Sequence, residues 1–284
     1  MPRIRIVTDS ASDILPEQAN RYAIEVIPLN VNFGDDVFKD GVDITASQFY
    51  TRLKASASIP HTSQPSAGEF MEFYQKIGRD ADAIIGVYIS NRLSGTIASA
   101  EAARGLVDVR VINIDGLSAS QGTARLAILA AQAASAGLGV DEVVKAVELA
   151  RTKAMTIFSV DTLEYLQKNG RIGRAQSMLG SLLQLKPLLH IDADGVIAPL
   201  DRVRTRSRVI PRLIEEAHAR FPLGSRVEIT VIEADAADRA RELMELAMQG
   251  YDVADAAIAT IGPVIGSHVG PGTLGLVMIP HFEF

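Results

Sequence analysis

Two short segments combine hydroxyl side chains with positions that suit anion binding. Ser94-Gly95-Thr96 lies where a predicted buried strand (residues 83–89) meets a predicted helix. Free N–H groups and the dipole at a helix N-terminus favour a carboxylate or a phosphate at such a junction. Thr62 and Ser63 lie in a polar loop shortly before Pro65. The alternative for both segments is structural, because Ser and Thr are common in helix caps and turns.

A single histidine, His268, lies in the glycine-rich segment 266–273, between apolar runs at 256–261 and 274–279. Its glycines, together with Pro263 and Pro271, predict a tight loop between two strands and exclude a regular helix. Such a loop would allow backbone N–H groups to approach a ligand closely. The alternative is an isolated surface histidine, so a site here needs partners from elsewhere in the chain.

Motifs of bond-making enzymes are missing. Leu93-Ser94-Gly95-Thr96 lacks the first glycine of the Gly-x-Ser-x-Gly nucleophile turn. No Walker A loop, Gly-x-Gly-x-x-Gly after the first strand, or His-Glu-x-x-His occurs. We expect no metal and no cofactor, because there are no cysteines and no metal-ligand spacing among the histidines at 61, 190, 218, 268 and 281. A weak esterase remains open, with Ser94 as nucleophile, His268 as base and Asp9 or Asp115 as the orienting acid.

Alternating arginines at 202, 204, 206 and 208 form a dense basic segment in a chain whose net charge is −6. On an extended strand these side chains would project to one face. The segment is either a solvated face or a surface for an anionic partner or a phosphate group. A regulatory module that binds a phosphate or a nucleotide is therefore a second open hypothesis.

Length and composition indicate a globular protein of 284 residues, for which two domains are the first expectation. Hydrophobic residues make up 48% of the chain, enough for a buried core. The acidic balance, with a pI near 5.4, argues against nucleic-acid binding. No signal-peptide pattern opens the chain, and the most apolar helix candidate, residues 124–138, is too short to span a bilayer. We therefore expect a cytoplasmic protein.

Strands and helices are predicted to alternate over residues 1–160. Residues 25–33 predict one half-buried strand, and apolar runs typical of buried strands occupy residues 4–7, 83–89, 109–114 and 155–160. This pattern indicates a three-layer α/β domain with a mainly parallel sheet. Because ligands bind beyond the carboxyl ends of such strands, Asp9-Ser10, residues 90–96 and Asp115-Gly116 should share one edge.

Residues 161–284 predict a second, less regular α/β or α+β domain. A helix is expected over residues 174–184, and a hairpin with an Asp194-Gly195 turn follows it. Strand, helix and strand then precede the His268 segment.

Taken together, the motifs resemble the DegV family of bacterial fatty-acid-binding proteins, which includes the FakB subunits of fatty acid kinase. The resemblance covers nearly the whole chain and rests on six segments in the family's order: Val7-Thr8-Asp9-Ser10, Thr62-Ser63-Gln64-Pro65-Ser66, Leu93-Ser94-Gly95-Thr96, Leu163-Glu164-Tyr165-Leu166 with Gly170-Arg171-Ile172, Arg204-Thr205, and His268-Val269-Gly270-Pro271-Gly272. It implies a two-domain DegV-like fold that binds one long-chain fatty acid, such as palmitate, stearate or oleate, between and within its domains.

The resemblance also implies roles for residues. The fatty acid carboxylate would be held by Thr62, Ser94 and His268, with Ser63, Gly95 and Thr96 as neighbours. The protein would catalyse nothing itself and would present the carboxylate to a separate ATP-dependent fatty acid kinase, which makes acyl-phosphate for phospholipid synthesis. The kinase would dock on Arg204, with Arg202, Arg206 and Arg171 as further candidates. Brief contact with a membrane surface during lipid exchange is also expected.

Overall fold

A computed structural model describes residues 2–180 and 185–284, in which three β-sheets are the main organising elements. The strands are β1 (Ile4–Asp9), β2 (Ile24–Ile27), β3 (Asn30–Phe33), β4 (Asp36–Lys39), β5 (His61–Ser63), β6 (Ala83–Tyr88), β7 (Arg110–Asp115), β8 (Met155–Ser159), β9 (Lys186–Ile191), β10 (Ile197–Val203), β11 (Arg226–Glu233), β12 (Asp252–Thr260) and β13 (Leu274–Pro280). The helices are α1 (Pro16–Arg21), α2 (Ala46–Ala55), α3 (Ala67–Ile77), α4 (Thr96–Arg104), α5 (Gln121–Ser135), α6 (Val140–Lys153), α7 (Glu164–Lys168), α8 (Val209–Arg220), α9 (Ala237–Ala247) and α10 (Pro263–Val269).

The first sheet is wholly parallel, in the order β2-β1-β6-β7. Every residue of β6 is buried, as expected for a strand covered on both faces. The predicted shared edge is confirmed by hydrogen bonds: the Ile89 N–H donates to Asp9 at 2.8 Å, and the Asn91 N–H donates to Asp115 at 3.3 Å. This α/β layer with its parallel sheet agrees with the predicted fold class.

The second sheet is mixed and six-stranded, in the order β10-β9-β8-β13-β11-β12. Its strand β8 requires a correction, because residues 155–160 were predicted to be the last strand of a first domain over residues 1–160. β8 instead pairs antiparallel with β9 and β13, so a boundary after residue 160 would separate it from both partners. An apolar run shows that a strand is buried, but it does not indicate which strands pair with it. We therefore propose a domain boundary before β8.

The third sheet is small, in the order β4-β3-β5, and it contains Thr62. The single strand predicted over residues 25–33 is wrong: β2 belongs to the parallel sheet, whereas β3 pairs with β4 and β5. Pro28, between them, has no N–H for a sheet ladder, which suits a point where the chain leaves one sheet for another.

Helix α10 is a further correction, because the glycines around His268 were expected to exclude a regular helix. Gly262 precedes the helix, Pro263 occupies its first turn, and Gly270 ends it with a φ of +73°. Six of its seven residues are buried. Tertiary packing of this short segment therefore outweighs the weak helix propensity of Gly266.

The helix predicted over residues 174–184 is also corrected. Its described part is a 3₁₀ helix over Gly173–Met178, and residues 181–184 lie outside the described residues. Within residues 2–180 and 185–284, no helix is long and apolar enough to cross a membrane.

Candidate functional site

A partly enclosed cavity of about 770 Å³, counting its opening to solvent, lies between the sheets. Most of its wall is aliphatic or aromatic, formed by Leu29, Ile89, Leu93, Ala119, Phe158, Leu166, Ile191, Ile197, Ile232, Ile261, Val264, Ile265 and Val269. The polar side chains that line it are Thr62, Ser63, Gln64, Ser94, Ser120, Thr156, Arg171, His268 and Thr273.

Thr62 and His268 form the central contact of the polar lining. The Thr62 Oγ1 atom lies 2.8 Å from the His268 Nε2 atom, although 206 residues separate the two in the chain. Strand β5 holds Thr62 through its pairing with Val31 of β3. His268 lies in the last turn of α10, whose Val264, Ile265 and Val269 also line the cavity. One short helix thus supplies both an imidazole and part of the apolar wall.

The imidazole of His268 is neutral at pH 7. Burial, helped by electrostatic repulsion from the Arg171 guanidinium and by an electrostatic contribution from His61, lowers the pKa of His268 from 6.5 to about 4. Its Nδ1 atom is buried and has no hydrogen-bond partner among the described residues. A buried polar atom without a partner is costly, so a ligand that supplied one would be stabilised here.

Ser94 lines the cavity, whereas Gly95 and Thr96 lie behind it. The Ser94 and Thr96 hydroxyls are 2.8 Å apart, and Thr96 is fully buried at the start of α4. A Cβ atom on Gly95 would come within 2.8 Å of the Gln64 amide nitrogen, so the absence of a side chain lets the two loops approach. Of the three residues in this motif, only Ser94 is placed to touch a ligand directly.

Arg171 borders the same group of polar residues, although the resemblance had assigned it to partner docking. Its Nε donates to the Leu93 carbonyl oxygen at 3.2 Å and its Nη1 to the Asn169 carbonyl oxygen at 2.7 Å. The side chain is exposed and also lines the cavity, so it lies at the opening. Its role in docking stays a prediction.

Hydroxyl groups in the described part of the cavity lining differ in how far they are already hydrogen-bonded. Ser63 accepts a weak 3.5 Å bond from Asn30, which leaves its own hydroxyl proton free. Away from Thr62, Ser63 and Ser94, the lining hydroxyls pair within the protein: Ser120 donates to Asp13, Thr156 lies 3.1 Å from Ser118, and Thr273 donates to the carbonyl oxygen of Gly270. The group formed by Thr62, Ser63, Ser94, Arg171 and His268 is called the polar head site below.

The arginine segment departs from the predicted single face. Strand β10 ends at Val203, so of these arginines only Arg202 lies on it, and a 3₁₀ helix at Arg206–Arg208 follows. Beyond Val203 the arginine side chains no longer project to one face, because the backbone is no longer an extended strand. Arg206 pairs with Asp161 at 2.8 Å, whereas Arg202 and Arg204 are exposed. None of these three lines the cavity.

The geometry does not support the esterase. Neither ring nitrogen of His268 contacts Ser94, because Nε2 meets Thr62 and Nδ1 has no partner in the described residues. The two candidate orienting acids are engaged elsewhere, Asp9 with the Ile89 N–H and Asp115 with the Leu117 N–H. The nucleophile–base–acid chain of a serine hydrolase is therefore not assembled.

Two features of the site had no signal in the sequence analysis. Asn169, next to the Gly170-Arg171-Ile172 motif, is buried and bonds to backbone carbonyl oxygens close to Thr62 and His268 in sequence. An acidic cluster of two buried residues (Asp9 and Asp40) and the half-buried Asp13 lies at the other end of α10, where the Gly262 N–H donates to Asp13 at 2.9 Å. Both depend on contacts between residues far apart in sequence.

The fold and cavity define an α/β protein whose apolar binding site ends in a group of polar side chains. The family model described as "Uncharacterised protein, DegV family" matches residues 3–281, and the chain belongs to this family. This confirms the resemblance drawn from the six sequence segments.

Similarity to known relatives extends over nearly the full length of both chains. A DegV domain-containing protein of Streptomyces coelicolor is 38% identical over 279 residues, covering 97% of this chain and 98% of the relative. A fatty acid-binding protein of Thermotoga maritima is 33% identical over 283 residues, 96% of each chain. The solved structure of a fatty-acid-binding DegV family protein from Thermus thermophilus is 32% identical, with a TM-score of 0.93 over 98% of this chain and 100% of that one.

Proposed function

We propose that this protein binds one long-chain fatty acid, with the carboxylate at the polar head site and the acyl chain in the apolar cavity. The observation that supports this best is a cavity whose described wall is mostly aliphatic or aromatic and in which Thr62, Ser63, Ser94, Arg171 and His268 form a polar group. A carboxylate removed from water needs hydrogen-bond donors or positive charge, and these side chains supply both. The fatty-acid-binding relatives support the same ligand class.

The two ends of the fatty acid would contribute differently to the free energy of binding. At ~0.8 kcal/mol per buried CH₂, a chain of ~16 carbons gains on the order of 10 kcal/mol before ordering costs. The head contacts are individually weaker, about 1.5–3 kcal/mol for a hydrogen bond to a charged group. The acyl chain would therefore supply most of the affinity, and the polar head site would fix where the carboxylate lies.

The finer part of the proposal is a carrier role without chemistry. The carboxylate would be presented to a partner ATP-dependent fatty acid kinase that forms the acyl-phosphate. Support comes from the position of Arg171 at the cavity opening and from the exposure of Arg202 and Arg204. Arg206 is a weaker docking candidate, because Asp161 already neutralises it.

The first test is native mass spectrometry of the purified protein, followed by lipid analysis after denaturation. The expected result is a mass excess equal to one long-chain fatty acid. Repeated recovery of bare protein that also fails to bind added palmitate and oleate would overturn the proposal.

A second test separates binding from presentation. Arg204→Ala should leave palmitate affinity within about two-fold of the original, because this side chain lies outside the cavity, and should slow phosphoryl transfer by the kinase. The matched variant Ser94→Ala should weaken palmitate binding. If Arg204→Ala lost lipid as strongly as Ser94→Ala, the proposed division of roles would be wrong.

A further inference from the structure

Both polar atoms of the Asn169 side chain take part in hydrogen bonds. Its Nδ2 donates to the Pro60 carbonyl oxygen at 3.2 Å and to the Ser267 carbonyl oxygen at 2.8 Å. Its Oδ1 lies 2.9 Å from the His61 Nδ1. Carbonyl oxygens only accept, so the amide orientation is fixed by its two acceptors, and His61 Nδ1 must be the donor to Oδ1.

These bonds fasten the chain immediately before each half of the Thr62–His268 pair. Pro60 and His61 precede Thr62, and Ser267 precedes His268. Asn169 itself is 5% exposed and follows the end of α7, so it bridges three elements from a buried position. β5 has only three residues and α10 only seven, so neither is held in place by its own length.

Asn169 also contacts the cation at the cavity opening. Its carbonyl oxygen accepts a hydrogen bond from Arg171 Nη1 at 2.7 Å, and Gly170 between them has a φ of +68°. The left-handed backbone at Gly170 lets the chain turn back so that Arg171 returns toward Asn169. One residue therefore connects Thr62, His268 and Arg171.

We propose that Asn169 is a positioning residue that sets the spacing of Thr62 and His268 and so preorganises them for the fatty acid carboxylate. This inference rests on the proposed function. Asn169 does not line the cavity, so its effect is exerted through the two residues it fastens. Preorganised donors bind an anion better because the protein does not have to order them when the ligand arrives.

The test compares palmitate with hexadecanol, which has the same chain length without the carboxylate. Asn169→Ala should weaken palmitate binding by about ten-fold, as expected for the loss of one to two net hydrogen bonds. Hexadecanol affinity should change by less than about two-fold. Asn169→Ser, which keeps one hydroxyl donor, should give an intermediate loss and guards against a folding failure of the first variant.

The control is Asn113→Ala, which removes two side-chain hydrogen bonds, against three in Asn169→Ala, and lies on β7, outside the cavity lining. Asn113 accepts from the Tyr74 hydroxyl at 2.8 Å and donates to Glu101 at 2.8 Å. It should leave the palmitate-to-hexadecanol affinity ratio unchanged. An equal loss of both ligands in Asn169→Ala, or no loss of palmitate, would overturn the positioning role.

Titration of the His268 imidazole by NMR without lipid separates this inference from the proposed function. Asn169→Ala should raise the His268 pKa toward its ordinary value, because the ring is no longer held in its buried position. Asn113→Ala should not raise it. If the original protein bound no fatty acid, the proposed function would be refuted. Independently of that result, an unchanged His268 titration in Asn169→Ala would refute the positioning role.

Discussion

A neutral histidine next to a threonine hydroxyl can bind a carboxylate through hydrogen bonds without a permanent buried charge. Thr62 and His268 can donate or accept a hydrogen bond as the ligand requires, and neither requires a buried counter-ion when the cavity is empty. A lysine at the same depth would need compensation for a buried charge. Because Ser94 does not contact His268, the proposed site lacks an activated serine nucleophile that could attack a bound carboxylate.

Binding should change the protonation of His268. A carboxylate next to the imidazole favours its charged form, so the pKa of about 4 in the empty protein should rise in the complex. Between these two pKa values the complex binds a proton that the empty protein lacks. NMR titration of His268 with and without palmitate measures this directly. A pKa that stays the same or falls on binding would place the carboxylate away from His268.

Removing the Thr62 hydroxyl should specifically weaken binding of the fatty acid. Thr62→Val keeps the side-chain shape but deletes the group that meets His268, so palmitate affinity should fall roughly 10- to 100-fold. Thr123→Val is the matched control, because the Thr123 hydroxyl is buried without a partner among the described residues and lies outside the cavity lining. Calorimetric titration with palmitate should show no loss of affinity for Thr123→Val. An equal loss of affinity in both variants would mean that altered packing, not the Thr62 hydroxyl, is the cause.

At the scale of elements, α10 is the piece on which the site depends. It supplies His268 and three apolar wall residues, and it packs so closely on α2 that a Cβ on Gly266 would lie 2.7 Å from the Tyr50 hydroxyl oxygen and 2.8 Å from a Phe49 ring carbon. Its N-terminal end is held by Asp13 through the Gly262 N–H. A displacement of this short helix would therefore move both ends of the binding site together.

Gly266→Ala should push α10 away from α2. We expect the free energy of unfolding to fall by about 1–3 kcal/mol and palmitate affinity to fall with it, although Gly266 does not line the cavity. Gly68→Ala in α3 is the control: its new Cβ would meet only the Ser66 hydroxyl at 3.8 Å, and alanine should stabilise that helix by up to about 1 kcal/mol. Urea unfolding measures the free energy of unfolding of both variants. A Gly266→Ala variant as stable as the original protein would contradict the prediction.

On the scale of the whole molecule, buried polar groups join the layers. Arg125 of α5 reaches the second sheet, where it donates to Thr230 at 2.8 Å and pairs with Glu228 at 3.1 Å. The acidic cluster lies where β1, α5 and the start of α10 meet. Burial, the main cause, raises the pKa of Asp9 and of Asp40 from 3.8 to about 7, and that of Asp13 well above its ordinary value.

These raised values predict how stability depends on pH. As pH rises from about 4 to 7, Asp9 and Asp40 ionise in the unfolded chain before they ionise in the folded protein. The folded state then binds more protons, so the free energy of unfolding falls through this window and levels off above it. His268, whose pKa is lowered, contributes with the opposite sign between about 4 and 6.5 but is a single group.

Asp40→Asn isolates one member of the cluster. At pH 8 the variant should be more stable than the original protein by about 1–3 kcal/mol, because it no longer buries that charge beside Asp9 and Asp13. At pH 4 the difference should nearly vanish, since the Asp40 carboxyl is protonated in the folded state. Denaturant unfolding across this range measures both points, and a variant that is destabilised equally at each pH would contradict the charge argument.

The sequence by itself determined many of the local elements and supplied the residue types of the candidate site. The all-buried strand β6 occurs as predicted, and capping boxes form at Thr45 and Ser66, because caps and apolar runs act over a few residues. Six ordered segments also identified the family. Only the tertiary structure decided that α10 is a helix, that β8 joins the second sheet, and that Asn169 fastens Thr62 and His268. Those outcomes depend on burial and pairing between residues far apart in the chain, which outweigh local propensity and leave no periodic trace in the sequence.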